Sequence, residues 1–161
     1  MRLQVAVDRP RWPWPAGRTA GQAMVEFALT IVLFFTTLLL IFEGGRMVLS
    51  YFILANAAAE GARAGQYVTA TDTDIQNAVN AVSGILGTFP TPTSGSTCSG
   101  TTAICVCRRT TAGAACGSTP IQSGSEVDVT VNYLFQFMPQ AGGWLGQTSI
   151  QLTAYHTARL S

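Results

Sequence analysis

The stretch FALTIVLFFTTLLLIF, from Phe27 to Phe42, contains sixteen uncharged and mostly apolar residues between Glu26 and Glu43. With residues 23–25 the stretch of low polarity reaches about twenty positions. At ~1.5 Å per residue, a helix of that length crosses the roughly 30 Å hydrocarbon core of a bilayer. The sequence therefore predicts one membrane-spanning helix.

Arginines ahead of the span predict its orientation. Residues 1–21 carry Arg2, Arg9, Arg11 and Arg18 against a single acid, Asp8, whereas Glu43 with Arg46 and Glu60 with Arg63 cancel on the far side of the span. The positive-inside rule then places the N-terminus in the cytoplasm and everything after the span outside. The expected location is the cytoplasmic (inner) membrane, with a single pass and an extracytoplasmic C-terminal domain.

A cleaved secretory signal is the alternative reading of the same apolar stretch. Phe27 to Phe42 would be its hydrophobic region, and the alanines at 57–59 would supply the cleavage site. A signal of this kind has an apolar run of roughly 7 to 15 residues, with cleavage only a few residues beyond it. The longer run and the distant alanines favour an uncleaved anchor.

The helical pattern continues past Glu43, because apolar residues and alanines follow at helical spacing as far as Gly65. Two similar segments, Glu43-Gly-Gly-Arg46 and Glu60-Gly-Ala-Arg63, each place opposite charges three positions apart on one helix face. They are either solvated pairs within the helix or contacts between subunits.

After Gly65 the pattern predicts a small α+β domain. A second helix is expected from Asp72 or Thr73 to Leu86, with Asp72 or Asp74 available as cap and first-turn anion, and a long loop from Phe89 to Ser125. The apolar stripe of this helix comprises Ile75, Ala78, Val79, Val82, Ile85 and Leu86. Alternating residues predict two strands, Glu126 to Met138 and Thr148 to Leu160, joined by a hairpin around residues 142–146 into an antiparallel sheet.

Cys98, Cys105, Cys107 and Cys116 lie within this loop. Their even number favours two disulfides formed in an oxidising compartment over a zinc site, since no C-x2-C knuckle is present and the single histidine, His156, is distant. If Cys105 and Cys107 lie in an extended segment, their sulfurs share a face without bonding each other, which leaves two of the three connectivities open.

The composition argues against catalysis and against nucleic-acid binding. The chain has no Lys, its formal net charge is +1, and it contains neither a phosphate-binding loop nor a recognisable nucleophile and base. Glu126 and Asp128 are expected to be solvated on the polar strand face, and His156 to be a packed or edge residue. We expect no catalytic residue, no metal and no cofactor.

Glu26 needs a physical explanation, since a carboxylate next to a hydrophobic span requires a partner, water or a proton. Glu26 either only marks the helix start, where the macrodipole favours an anion, or also has a functional role. If the chain is cut after Gly21, Glu26 becomes the fifth residue and Gln22 gains a new α-amino group.

This arrangement resembles the type IV pilin-like proteins. GQAMVEFAL from Gly21, EGGR from Glu43, NAAAEGARAG from Asn56 and LTAYHTARL near the C-terminus are similar to the TadE-like family of tight-adherence pilus-assembly proteins, which are regarded as pseudopilins. The resemblance implies cleavage by a prepilin peptidase between Gly21 and Gln22. It also implies that Glu26 partners the new ammonium, often of a neighbouring subunit.

We therefore expect three regions: a basic cytoplasmic leader (1–21), a transmembrane and extended helix (22–65) and an extracytoplasmic domain (66–161). The expected function is that of a pilin-like structural or assembly subunit. Its expected partners are other pilin or pseudopilin subunits, a prepilin peptidase, the inner-membrane pilus assembly platform and the lipid bilayer. The alternative is a signal-anchored binding or adhesion module that does not enter a filament.

Overall fold

A computed structural model describes residues 19–95, 98–110, 115–117, 124–139, 143 and 146–160. Its elements are α1 (Thr19–Ala64), α2 (Asp72–Ser83), β1 (Thr93–Ser94), β2 (Ala103–Arg109), β3 (Glu126–Gln136) and β4 (Ser149–Arg159). The predicted α+β class is confirmed. Most of the predicted leader, and residues 140–142, 144 and 145 of the connection between β3 and β4, lie outside the described residues.

The chain forms two compact units, Met1–Leu39 and Leu40–Ser161. The described part of the first is the beginning of α1, and the second contains the rest of α1, α2 and the sheet. Within the described residues, the helical segment Gly21–Ala64 is long and apolar enough to cross a membrane, and none of its most apolar window is buried. This is what a single-pass membrane anchor requires.

The four strands form one mixed sheet in the order β1-β2-β3-β4. β1 pairs with β2 in parallel, whereas β2 with β3 and β3 with β4 are antiparallel. The prediction of an antiparallel sheet is therefore correct for β2, β3 and β4 but not for the pairing of β1. The predicted loop from Phe89 to Ser125 also contains β1 and β2. Residues 103–107 of β2 are all buried. The sequence analysis assigned this short apolar run to the loop because Thr, Ser and Gly surround it.

The core forms where the second half of α1 packs on the sheet. The fully buried hydrophobic residues of α1 are small or aliphatic, and the facing positions on α2 and β3 are β-branched. These core residues are Leu54, Ala57, Ala58, Ala62, Ile75, Val79, Val127, Val129 and Val131. Gly61 marks the closest approach, because a Cβ there would lie 2.7 Å from Val79 Cγ2 and 3.3 Å from Val129 Cγ1.

Helix α2 begins at Asp72, one of the two predicted starts, and Asp72 and Asp74 are both in its first turn, but its cap is a different residue from those predicted. Thr71 is the N-cap: its hydroxyl accepts from the Asp74 N–H, and the Asp74 carboxylate accepts from the Thr71 N–H. Hydrogen bonds from the Thr71 side chain and backbone hold the pKa of Asp74 below its ordinary value. A lowered carboxyl pKa stabilises the fold at neutral pH, and this contribution is lost in acid as the pH falls through it.

Helix α2 also ends earlier than predicted, at Ser83 instead of Leu86. The Asn80 amide oxygen accepts from the Phe89 N–H at 2.7 Å, and its nitrogen donates to the Phe89 carbonyl, so the chain must turn back after Ser83. Ile85, expected on the buried stripe, is consequently 87% exposed.

Two disulfides attach the flanking segments to β2, as the cysteine count predicted. Cys98 pairs with Cys105 and Cys107 with Cys116, with Cα–Cα distances of 5.4 and 5.0 Å. This is one of the two connectivities that the sequence left open. Cys105 and Cys107 project from the same face of β2 because side chains alternate along a strand.

We predict that Gly61→Ala lowers the free energy of unfolding by about 1–3 kcal/mol, since the stiff Val79 side chain has to move. Thermal unfolding of the full chain in detergent, followed by circular dichroism, measures the effect. Gly45→Ala is the matched control, because a Cβ at Gly45 meets nothing within 4 Å and alanine favours the helix by about 1 kcal/mol. Equal stability of the two variants would contradict the close packing at Gly61.

Candidate assembly site

The predicted cleavage position lies in the first turn of α1. Gly21 and Gln22 follow the helix start at Thr19 by two and three residues, and both are exposed. The first four N–H groups of a helix have no partner within it, so this turn is held by few hydrogen bonds. A Cβ added at Gly21 would meet nothing within 4 Å.

Glu26 lies one helical turn after Gln22, on the same face. The Gln22 side-chain amide donates to Glu26 Oε1 at 2.9 Å, and both residues are exposed. Among the residues that the structure describes, this side-chain partner is a neutral amide, so no cation there compensates the carboxylate. The arrangement can therefore accept a positively charged donor at Glu26.

The polar side chains that follow Glu26 are satisfied within the helix. The hydroxyl groups of Thr30, Thr36 and Thr37 donate to the carbonyl oxygens of Glu26, Val32 and Leu33 at 2.8 to 2.9 Å. A hydroxyl that bonds its own backbone does not need water, so it is compatible with lipid. Among residues 19–42, which the structure describes, Glu26 is the one charged residue, and in an apolar environment it needs an external partner.

Glu43, at the other end of the apolar run, has its partners inside the second unit. Its side chain is 2% exposed, and both carboxylate oxygens accept from Arg46 Nη1 at 3.1 and 3.0 Å. Oε1 also accepts from the backbone N–H of Met138, just beyond β3, at 3.1 Å. The Arg46 guanidinium lies 5.3 Å from the centre of the Phe135 ring. Glu43 therefore joins α1 to the end of β3.

The second predicted ion pair differs from the first. Arg63 Nη1 lies 2.8 Å from Glu60 Oε2, but the two side chains are 69% and 43% exposed. An exposed pair of this kind contributes about 0.3–0.5 kcal/mol within a helix. Two segments of similar sequence thus have different environments, one buried against the sheet and one open to solvent.

The structure contains a buried polar cluster that the sequence analysis missed. Asp128, expected to be solvated, is 3% exposed; it is ion-paired with Arg109 and accepts from the hydroxyl groups of Tyr155 and Thr157. Glu126, which was also expected to be solvated, forms an ion pair with Arg159, whose Nε lies 3.4 Å from Glu126 Oε1. The cluster joins three neighbouring strands, and no motif indicated it because its members are distant in sequence.

The remaining candidate residues are the acidic, cysteine and histidine side chains that the sequence analysis considered for a metal site. The described residues contain no group of three or more His, Cys, Asp and Glu side chains placed to hold a metal ion. His156 is exposed on β4, an edge strand, and pairs with Val129 in the register. Of the two predicted alternatives for His156, a packed residue or an edge residue, the structure therefore shows the edge residue.

We predict that Glu43→Ala destabilises the protein by about 2 kcal/mol or more, because it leaves the Met138 N–H unsatisfied and Arg46 without its counter-ion. Glu60→Ala removes the carboxylate of the exposed pair and is the matched control, with an expected loss of about 0.5 kcal/mol or less. Both values come from thermal unfolding of the full chain in detergent. Similar losses in the two variants would show that Glu43 does not join the helix to the sheet.

Comparison with known proteins places a family match over the helix that carries these residues. The family model described as TadE-like protein matches residues 21–63. No curated protein and no solved structure matches the chain. The matched segment begins at the predicted cleavage position and includes Glu26, both ion pairs and most of α1. TadE-like proteins are structural, non-enzymatic components of pilus assembly. The chain thus carries a TadE-like segment over residues 21–63, which supports a pilus-associated protein.

Proposed function

We propose that this chain is a pseudopilin of a tight-adherence or type IV-like pilus, cut after Gly21 and assembled through Glu26. The observation that carries the proposal is the placement of Gln22 and Glu26 one turn apart on one exposed helix face, with no cation beside the carboxylate among the described residues. The TadE-like match over the same residues supports it.

Cleavage is compatible with the local structure. The bond between Gly21 and Gln22 lies in the first turn of α1, where the helix lacks N-terminal hydrogen bonds and frays at low cost. A glycine before the bond favours the non-helical backbone that a peptidase has to bind. A prepilin peptidase at the cytoplasmic face would leave Gln22 as the new N-terminus.

The new ammonium at Gln22 supplies the positive charge that Glu26 lacks. One helical turn is about 5.4 Å along the axis, so the new ammonium and the carboxylate lie on adjacent turns of one chain. In an apolar surrounding, the ammonium of a staggered neighbour that reaches the carboxylate directly completes the ion pair. Such a pair specifies the register between subunits more than it adds stability.

The remaining features agree with an anchor in the inner membrane and a domain outside the cytoplasm. Two disulfides require an oxidising compartment, and they lie in the unit that follows the apolar helix. The charge bias around the span predicts the same orientation. In this setting the partners are the prepilin peptidase, other pilin-like subunits and the assembly platform.

A signal-anchored binding or adhesion module is the second candidate function. The specific observation in its favour is that α1 starts at Thr19 and runs without a break through the Gly21–Gln22 bond. This candidate shares the anchor, the disulfides and the domain, and differs only in lacking cleavage and assembly.

The mature N-terminus distinguishes the two candidates. We expect the protein purified from membranes of cells that contain a prepilin peptidase to begin at Gln22, as measured by intact mass and N-terminal sequencing. Cells without the peptidase provide the control, in which the chain is expected to begin at Met1. A product beginning at Met1 in both strains, or near Glu60, would contradict the proposed cleavage.

Replacement of the carboxylate tests the assembly step. We expect Glu26→Gln to insert into the membrane normally but to fail in pilus assembly, since an amide cannot pair with an ammonium as a counter-ion. Glu60→Gln removes a carboxylate from the exposed pair on the same helix and is expected to assemble normally. Membrane fractionation and recovery of sheared filaments measure the two steps. Normal assembly by the Glu26 variant would contradict the proposal.

A further inference from the structure

The outward face of α1 stays apolar beyond Glu43. Val48, Leu49 and Phe52 are 50%, 61% and 60% exposed, and Tyr51 beside them is exposed as well. Together these four residues form what we call the proximal patch. Leu49 also borders an open cleft that is lined by Ile53, Ile85 and Leu86 among others. A soluble surface rarely exposes large apolar residues side by side without a partner.

The charges that ended the span in the sequence are paired with each other: Glu43 is 2% exposed, whereas the Arg46 side chain is 39% exposed and borders the same cleft as Leu49. Glu43 is buried against the end of β3, and its counter-ion Arg46 is paired with it and covers the Phe135 ring. The exposed positions between Glu43 and Phe52 are Gly45 and the proximal patch. An apolar environment on this side of α1 would therefore meet no unpaired charge.

The apolar face has a definite end. Asn56 follows Phe52 by one turn on the same face and is exposed, and the solvated pair of Glu60 and Arg63 comes next. The outward face of α1 therefore becomes polar between Phe52 and Asn56. This is about ten residues after Glu43, where the charge pattern of the sequence placed the end of the span.

The length of the apolar face favours lipid as the occupant. The twenty residues from Ala23 to Phe42 span about 30 Å, the thickness of the hydrocarbon core alone. Extension to Phe52 gives about 45 Å, which matches the ~40–45 Å of a bilayer that includes its headgroups. Tyr51 then lies near the polar end of the face, where amphipathic aromatic side chains are enriched at membrane interfaces.

We propose that the proximal patch contacts lipid in the membrane-resident chain, so that the lipid-facing surface of α1 ends after Phe52 and not at Glu43. Lipid is favoured over a second copy because the patch continues the candidate span on the same helix without a polar interruption. The inference requires only membrane insertion, and it holds whether or not the chain is cut after Gly21.

Depth-dependent quenching of tryptophan fluorescence tests the proposal on the full chain in liposomes. Trp12, Trp14 and Trp144 are first replaced by Phe, and single reporters are then introduced as Leu49→Trp and Tyr67→Trp. Tyr67 is an exposed control beyond the C-terminal end of α1. With phosphatidylcholine brominated on its acyl chains, we expect at least twofold stronger quenching of the reporter at 49 than of that at 67.

Two further reporters, Phe52→Trp and Asn56→Trp, locate the boundary and keep the test decisive if one variant fails to fold. We expect quenching at 56 to be less than half of that at 52. Equal quenching at 49, 52, 56 and 67 would overturn the proposal. So would weak quenching at 49 together with an emission maximum that changes with the protein-to-lipid ratio, because a second copy would then cover the patch.

Discussion

The close packing of α1 on the sheet is the contact on which the rest of the second unit depends. Ala57, Ala58 and Ala62 present so little side chain that the helix backbone approaches β3, and Gly61 has no room for a Cβ between Val79 and Val129. The same helix carries bulky apolar residues on its outward side. Helix α1 therefore has two apolar faces: one of small residues that packs closely on the sheet, and one of bulky residues that is exposed.

Glu26 and Glu43, which flank the apolar run, have opposite environments in the structure although they look alike in the sequence. Glu43 is buried, and its charge is compensated by Arg46 and by the Met138 N–H. Glu26 is exposed, and its described partner is the neutral amide of Gln22. A compensated carboxylate stabilises a fold, whereas an uncompensated one beside a membrane span is available to a charged partner. This difference is the physical basis of the proposal that Glu26 acts in assembly.

Much of the fold could be predicted because local periodicity encodes it. The apolar helix, the second helix and the alternation in β3 and β4 all follow from spacing within one element. The early end of α2 could not be predicted, because it results from hydrogen bonds between Asn80 and the backbone of Phe89. Strand β2 was missed for a related reason, since a short apolar run becomes a strand only when β3 lies beside it.

The candidate assembly site was predictable as well, because Gly21, Gln22 and Glu26 are close in sequence and a helix keeps such residues on adjacent turns. The sequence by itself determined the apolar span, its charge bias and the spacing of these residues, all of which are local properties. Only the tertiary structure decided that Asp128 is buried and that Glu43 turns away from the surface, since both carboxylates find partners far along the chain. The burial of Glu43 leaves the outward face of α1 apolar as far as Phe52, because a charge that packs against β3 no longer faces the surroundings of the helix.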